Sequence, residues 1–247
     1  MALPIVFINL ASDVDRRERM EGEFRRLRLS YDRLDAVRWT LLTAEQQDSF
    51  YSKTLNHLQY HSPLVAGEKG CYASHWVAWK MLLEGTAAAM VVLEDDVKLV
   101  DEFAEVIDAI ERLDVPWDMV KLIGREHEKI RSKKPLIKNF DLIEYRRVPS
   151  LTAGYVVSRK GAQKLLQTRR PFGRPIDVDL RFWWENQLTI LGVTPAVLVL
   201  DETSFTSSIG LKSQKRSLAQ QWKKFRLKCG MTVQNFSHLW RQAKKLH

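Results

Sequence analysis

The chain has 247 residues, 45% of them hydrophobic and 28% charged, a net charge of +9 and two cysteines. That length admits one large α/β domain or two small ones. No apolar run is long enough to cross a bilayer, and Cys71 and Cys229 form neither a disulfide framework nor a metal-ligand spacing, which points to a reducing compartment. The charge is lopsided: residues 211–247 carry ten Lys/Arg (212, 215, 216, 223, 224, 226, 228, 241, 244 and 245) and no acid, which leaves the rest close to −1. A basic tail asks for an anionic partner.

Residues 4–10 read as a first strand. No basic leader precedes them and Asp13 follows closely, which argues against a signal peptide. Residues 13–29 read as a charged helix with Met20, Phe24 and Leu27 at helical spacing, and 31–37 as a second strand. This opens a βαβ unit, a nucleotide site in which the base lies over the first strand end at Asn9 and Leu10. No Gly-rich loop follows Leu10, so there is neither a P-loop nor a dinucleotide fingerprint. Arg16 and Arg17 are candidate phosphate ligands; the alternative is a solvated helix face. Residues 43–61 read as polar and helical. Gly67 and Gly70 relax the backbone before a helix to about residue 83, whose N-terminus offers free N–H groups to an anion. Ser74 and His75 lie on it.

Residues 90–97, Met-Val-Val-Leu-Glu-Asp-Asp-Val, run four apolar residues into three carboxylates. The apolar part fits a buried parallel strand. The end of such a strand is where open α/β sheets bind ligands. Glu94, Asp95 and Asp96 repel one another unless cations lie between them, and hard oxygen ligands suit Mn²⁺ or Mg²⁺ carrying substrate phosphates. The alternative is a solvated acidic turn.

Residues 101–113 read as an amphipathic helix, 116–124 as a short strand, 125–134 as a charged loop and 150–158 as a strand broken at Gly154, where a backbone or ligand approaches closely. A helix covers 160–168. Residues 175–185 hold a second acidic group. Asp177 caps a helix or acts as a base, and Asp177 and Asp179 do not share a helical face. Trp183 and Trp184 offer flat surfaces to a sugar ring. A last strand lies within 191–200 and a polar loop in 202–210. In the tail, Leu218, Trp222, Phe225, Leu227, Phe236, Leu239 and Trp240 interleave with basic residues, as in an interfacial membrane helix. Anionic head groups attract such a helix by roughly 1 kcal/mol per basic residue. A nucleic-acid arm needs no apolar face, so a membrane surface is the expected partner and nucleic acid is not.

Taken together, several stretches resemble glycosyltransferase family 25, the group of bacterial lipopolysaccharide and lipooligosaccharide glycosyltransferases related to collagen galactosyltransferases. They are Phe7-Ile8-Asn9-Leu10 with Asp15-Arg16-Arg17-Glu18-Arg19-Met20, Gly67-Glu68-Lys69-Gly70-Cys71 with Ser74-His75, and Val92-Leu93-Glu94-Asp95-Asp96-Val97. Gly154-Tyr155-Val156-Val157-Ser158 with Gly161-Ala162, Pro175-Ile176-Asp177 and Ser207-Ser208-Ile209 follow in the family's order. The chain departs from the pattern at Ala11-Ser12, where members often carry Asp-Arg.

The resemblance implies an α/β fold of the GT-A type, a Rossmann-like nucleotide-diphospho-sugar transferase with a mixed central sheet flanked by helices. It would span 1–210, with 211–247 a basic amphipathic helical tail. It also implies a UDP-sugar donor, most often UDP-galactose, and Mn²⁺ (or Mg²⁺). Asp96, with Glu94, would hold the metal. Asn9, Leu10, Arg16, Arg17, Ser74, His75, Glu94, Asp95 and Gly154 would form the donor site.

Metal and basic groups would stabilise the departing UDP, and a carboxylate would deprotonate the acceptor hydroxyl with inversion at the anomeric carbon. Asp177 is the first candidate base; Asp179 and Glu185 are its rivals. The expected acceptor is a lipid-linked oligosaccharide, and the expected location cytoplasmic, peripheral on the inner face of the bacterial inner membrane. The alternatives are a phosphohydrolase, which lacks a second metal group with His ligands, and a non-catalytic nucleotide-sugar or nucleic-acid binding module with a basic arm.

Overall fold

The computed structural model describes residues 3–124, 128–201 and 218–244. Ser207-Ser208-Ile209 and the polar loop 202–210 lie outside the described residues.

The first three strands are β1 (Ile5–Asn9), β2 (Asp32–Asp35) and β3 (Ala89–Glu94), with α1 (Val14–Leu27) between the first two. β1 lies between β2 and β3, parallel to both, so Asn9, Asp35 and Glu94 end on one edge. After β4 (Val97–Leu99) and α5 (Phe103–Glu111) come β5 (Met119–Lys121), β6 (Ile130–Ile137), β7 (Phe140–Tyr145), β8 (Gly154–Ser158), β9 (Ile190–Thr194) and β10 (Leu198–Leu200). Eight strands form one mixed sheet in the order β2-β1-β3-β8-β5-β9-β7-β6, and β4 pairs with β10 apart from it. β8 runs antiparallel between β3 and β5. This is the expected Rossmann-like α/β architecture.

Strand parity sorts the side chains onto two faces. Ile5, Phe7, Val91, Leu93 and Val156 face α1 and α5, where Met20, Phe24, Phe103 and Ile107 complete one core. Val6, Ile8, Met90, Val92, Tyr155 and Val157 face the other way, toward α4 (Ala66–Glu84) and α6 (Arg159–Thr168). Both faces are covered, which explains the unbroken apolar runs.

Several boundaries differ from the sequence reading. The helix expected after the two glycines starts at Ala66, so Gly67 and Gly70 lie inside it. Gly70 serves contact rather than backbone freedom: a Cβ there would stand 2.5 Å from the Val37 carbonyl oxygen. Residues 43–61 hold two short helices, α2 (Ala44–Phe50) and α3 (Lys53–Gln59), each with a side-chain cap at Thr43 or Ser52. Within the charged segment 125–134, residues 130–134 are strand, because β6 is an edge that keeps its basic side chains away from the core. Its Lys133 pairs with Asp141 across the hairpin at 2.8 Å, and charge on an edge strand discourages pairing with other chains. The last segment holds two strands, β9 and β10, rather than one.

The acidic group after Pro175 forms a single turn, α7 (Ile176–Asp179), running into a 3-10 helix over Leu180–Glu185. The tail helix, α8 (Leu218–Lys244), packs on that 3-10 helix. Trp183 Nε1 donates to Asn235 Oδ1 at 3.0 Å, Asn235 Nδ2 donates to the Arg146 carbonyl at 2.7 Å, and Trp184 stacks on His238 with centroids 5.4 Å apart. Both tryptophans thus face α8. The rest of α8 presents Leu218, Trp222, Phe225, Val233, Phe236 and Trp240 outward.

Candidate active site

A cleft of about 470 Å³ opens where β1, β2 and β3 end. It is lined by Ile8 and Leu10, by 36–40 after β2, by Ala66, Gly67, Gly70, Cys71, Ser74 and His75 of α4, and by Glu94, Asp95 and Asp96. Its wall is held by two contacts of α4. Ser74 Oγ donates to the Gly70 carbonyl and accepts the Val37 N–H, both at 2.8 Å, so the segment after β2 sits directly on the helix.

Parity explains which acids meet which partners. Glu94 follows Met90 and Val92 on the α4 side, where His75 Nε2 lies 3.2 Å from its Oε1 and Thr152 Oγ1 donates to the same oxygen at 3.2 Å. The other His75 nitrogen, Nδ1, is 2.9 Å from the Tyr155 hydroxyl, which accepts Trp79 Nε1–H at 2.9 Å. Trp Nε1 only donates, so the Tyr155 hydroxyl proton is free to point at Nδ1, while Nε2 faces Glu94. Burial pushes the Glu94 carboxyl up, but the His75 and Thr152 hydrogen bonds outweigh it and hold it below the usual range.

Asp95 is saturated. Asn9 Nδ2 donates to its Oδ2 at 2.8 Å and Arg16 Nη1 to its Oδ1 at 3.1 Å. Asp96 is the opposite case. Among the described residues its buried Oδ1 has no hydrogen-bond partner. Burial, then repulsion from Glu94 and Asp95, pushes its carboxyl up to about 6. Asn9 Oδ1 is likewise buried without a partner among the described residues.

An under-compensated carboxylate group with one orphaned oxygen suits a hard divalent cation. Asp96 and Glu94 would hold it. Cys71, His75 and Glu94 also bring a sulfur, a nitrogen and an oxygen within 4.8 Å of one another. Burial keeps the Cys71 thiol protonated, well above its usual range, and a thiol is a poor ligand for Mn²⁺ or Mg²⁺.

Two groups not anticipated as site residues act on the site from outside the cleft lining. Lys121, on β5 beside Tyr155, is 1% exposed and donates to the Pro149 carbonyl at 3.1 Å and to that of Leu151. Burial lowers its ammonium to about 8, against the pull of Asp177, Glu128 and Glu94. A lone lysine inside the run Met-Val-Lys-Leu-Ile was the signal in the sequence. Thr152, which holds Glu94, carried none.

Asp177 belongs to this neighbourhood. Burial raises its carboxyl; the Val178 N–H and Lys121 pull it down, and Glu94 and Glu68 push it up. Asp179 and Glu185 lie elsewhere, in a closed ion cluster. Arg174 Nε meets Asp179 Oδ1 at 2.7 Å and Arg169 Nε meets its Oδ2 at 3.0 Å, while Tyr72 donates to Oδ2 at 2.6 Å. Glu185 is gripped by both arginines, 2.9 Å from Arg169 Nη1. Arg17 pairs with Glu21 at 3.9 Å and does not line the cleft, in contrast to Arg16. Gly154 pairs with Leu93 on β3, and a Cβ there would collide with Leu198 Cδ1. Its missing side chain answers to packing.

A Rossmann-like mixed sheet with acidic and amide side chains converging where its parallel strands end has the architecture of a GT-A type α/β protein. The sequence profile described as glycosyltransferase family 25 (LPS biosynthesis protein) matches residues 2–180. The chain belongs to glycosyltransferase family 25. It is 31% identical over 185 residues to procollagen galactosyltransferase 1-A of Xenopus laevis and 30% over 182 residues to procollagen galactosyltransferase 2 of Homo sapiens, each match covering 71% of this chain. These cover 30% and 29% of the relatives, so the chain matches less than a third of their length. It is also 29% identical over 184 residues, 71% of this chain and 30% of the relative, to a Bos taurus protein described as probable inactive glycosyltransferase 25 family member 3.

Proposed function

We propose that the protein transfers a hexose, galactose from UDP-galactose, to a hydroxyl of a lipopolysaccharide or lipooligosaccharide acceptor, with Mn²⁺ or Mg²⁺ and with inversion. The observation that carries this reading is the contrast between Asp95 and Asp96. One carboxylate is fastened to Asn9 and Arg16, and its neighbour keeps one buried oxygen, Oδ1, without a hydrogen-bond partner among the described residues, at the mouth of the cleft.

Asn9 Oδ1 would accept a hydrogen bond from the donor. Asp96 and Glu94 would hold the cation, which when bound supplies charge to stabilise the diphosphate leaving group. His75 fixes Glu94 through the Trp79–Tyr155 chain. Asp177 takes the acceptor proton: its carboxyl is raised, as suits a base, and no ion-pair cluster occupies it. Asp179 and Glu185 are fully engaged with Arg169 and Arg174, which favours a scaffold role. The outward face of α8, aromatic and free of acid, would hold the enzyme on the cytoplasmic face of the inner membrane beside a lipid-linked acceptor.

The test is UDP release from a panel of UDP-sugars with and without Mn²⁺, for the wild type and Asp96→Ala, with truncated lipooligosaccharide as acceptor. Metal-dependent release from one donor, lost in the variant, is expected. No turnover of any donor with acceptor present would favour a non-catalytic binding module.

A further inference from the structure

A second cavity, of about 230 Å³, is lined by Val178 of α7, the residue after Asp177. Consecutive helical residues diverge by roughly 100°, so Asp177 and this cavity belong to different faces of one turn. α8 closes the far side with Lys224 and Lys228 over an apolar floor of Leu227 and Met231. The 3-10 helix adds Arg181, the end of α3 adds Tyr60, and among the described residues no carboxylate lines the space. Tyr60 stacks on His61 with ring centroids 4.2 Å apart, which steadies a flat aromatic surface at the rim.

We propose that this cavity is an acceptor subsite for a phosphate-bearing sugar. The inference rests on the transferase reading and names the acceptor's chemistry. Three cationic side chains line a small cavity, and a phosphomonoester, about −1.5 to −2 at neutral pH, is drawn to them more strongly than the single charge of a carboxylate. Arg181 and the lysines supply donors for its oxygens, while Tyr60 offers the apolar face of a ring to the sugar. The volume is below the roughly 300–1,000 Å³ of drug-sized sites and admits about one sugar unit. The cavity thus positions a charged sugar while a neighbouring hydroxyl is presented on the Asp177 side.

The experiment uses the full chain and delipidated core oligosaccharide, either carrying its phosphates or treated with phosphatase, with affinity measured by thermophoresis. The wild type is expected to bind the phosphorylated form about tenfold tighter, and Lys224→Glu/Lys228→Glu to lose that preference. Equal affinity for both forms, no binding of the phosphorylated form at millimolar concentration, or a preference that survives the double substitution overturns the proposal. The same variant is tested on phosphatidylglycerol vesicles. Loss of vesicle binding with the oligosaccharide preference intact assigns the lysines to lipid and overturns it too. Metal-dependent hydrolysis of the UDP-sugar without acceptor is followed in parallel. Its absence in the wild type counts against the transferase reading, and its persistence in the variant shows the cleft intact.

Discussion

Arg16 reaches across from α1 to Asp95 at 3.1 Å, tying the helix after the first strand to the turn after the third. Asp96, one residue on, has the higher carboxyl. Asp95→Asn should therefore cost stability, about 1–3 kcal/mol, by leaving a nearly buried guanidinium short of charge. Asp96→Asn should leave the melting temperature unchanged or raise it, because it removes a charge the fold disfavours, while abolishing metal-dependent turnover. Thermal melts and UDP release on both variants check this. An Asp96→Asn protein that melts well below Asp95→Asn would refute the division of labour.

Tyr155 links Trp79 to His75. Tyr155→Phe leaves the Trp79 N–H without its acceptor and frees the His75 ring, a loss of about 1–3 kcal/mol. Because it also loosens Glu94, the Mn²⁺ concentration for half-maximal turnover should rise about 10- to 100-fold. A metal titration that superposes on the wild type would remove His75 from the arrangement of the site.

Asp177 and Glu185 should separate cleanly. Asp177→Asn is expected to keep the fold and UDP-sugar affinity while transfer falls at least about 100-fold. Glu185→Gln strips one of two carboxylate partners from Arg174, which is 2% exposed and keeps Asp179, and should destabilise the chain by about 1–3 kcal/mol. Melting curves and single-turnover transfer distinguish them. Full transfer by Asp177→Asn would return the role of base to another group.

Lys121 gives a pH signature. Its ammonium is lowered by burial to about 8 from an ordinary 10.5. Below pH 8 both states carry the proton and the folded chain bears the desolvation. Between the two values the unfolded chain binds more protons, so stability rises with pH. Relative to Lys121→Met, the wild type should gain up to about 3 kcal/mol across that window. Urea melts at several pH values test it, and a flat difference refutes it.

The outward aromatics of α8 are 57% to 67% exposed at Trp222, Phe225, Phe236 and Trp240. Replacing these four by Ser should leave the melt unchanged and weaken partition onto phosphatidylglycerol vesicles about tenfold or more. Undiminished partition would sink the membrane role. Substitution is a cleaner test than truncation, which would uncover Trp183.

The sheet and the acidic strand end were legible because they rest on local pattern: apolar runs of strand length and three acids in succession. Asp177 is the first candidate base in the sequence, but what separates it from Asp179 and Glu185 is the pair of arginines at 169 and 174, which reach those two only after folding. Lys121 was visible as a misfit in its strand, yet its meaning needed β8 beside it. β6 was missed because an edge strand carries surface chemistry. Gly70 looked like a turn residue, although its role is to let a helix touch the Val37 carbonyl.

The pinning of α8 has a geometric consequence. Trp183 and Trp184 clasp it at Asn235 and His238, so its 27 residues, about 40 Å of helix, do not swing on a tether. On the membrane-bound reading the catalytic cleft then rides at one set height above the lipid. Attachment would then act as a gauge, selecting a saccharide by how far its reactive hydroxyl stands from the lipid.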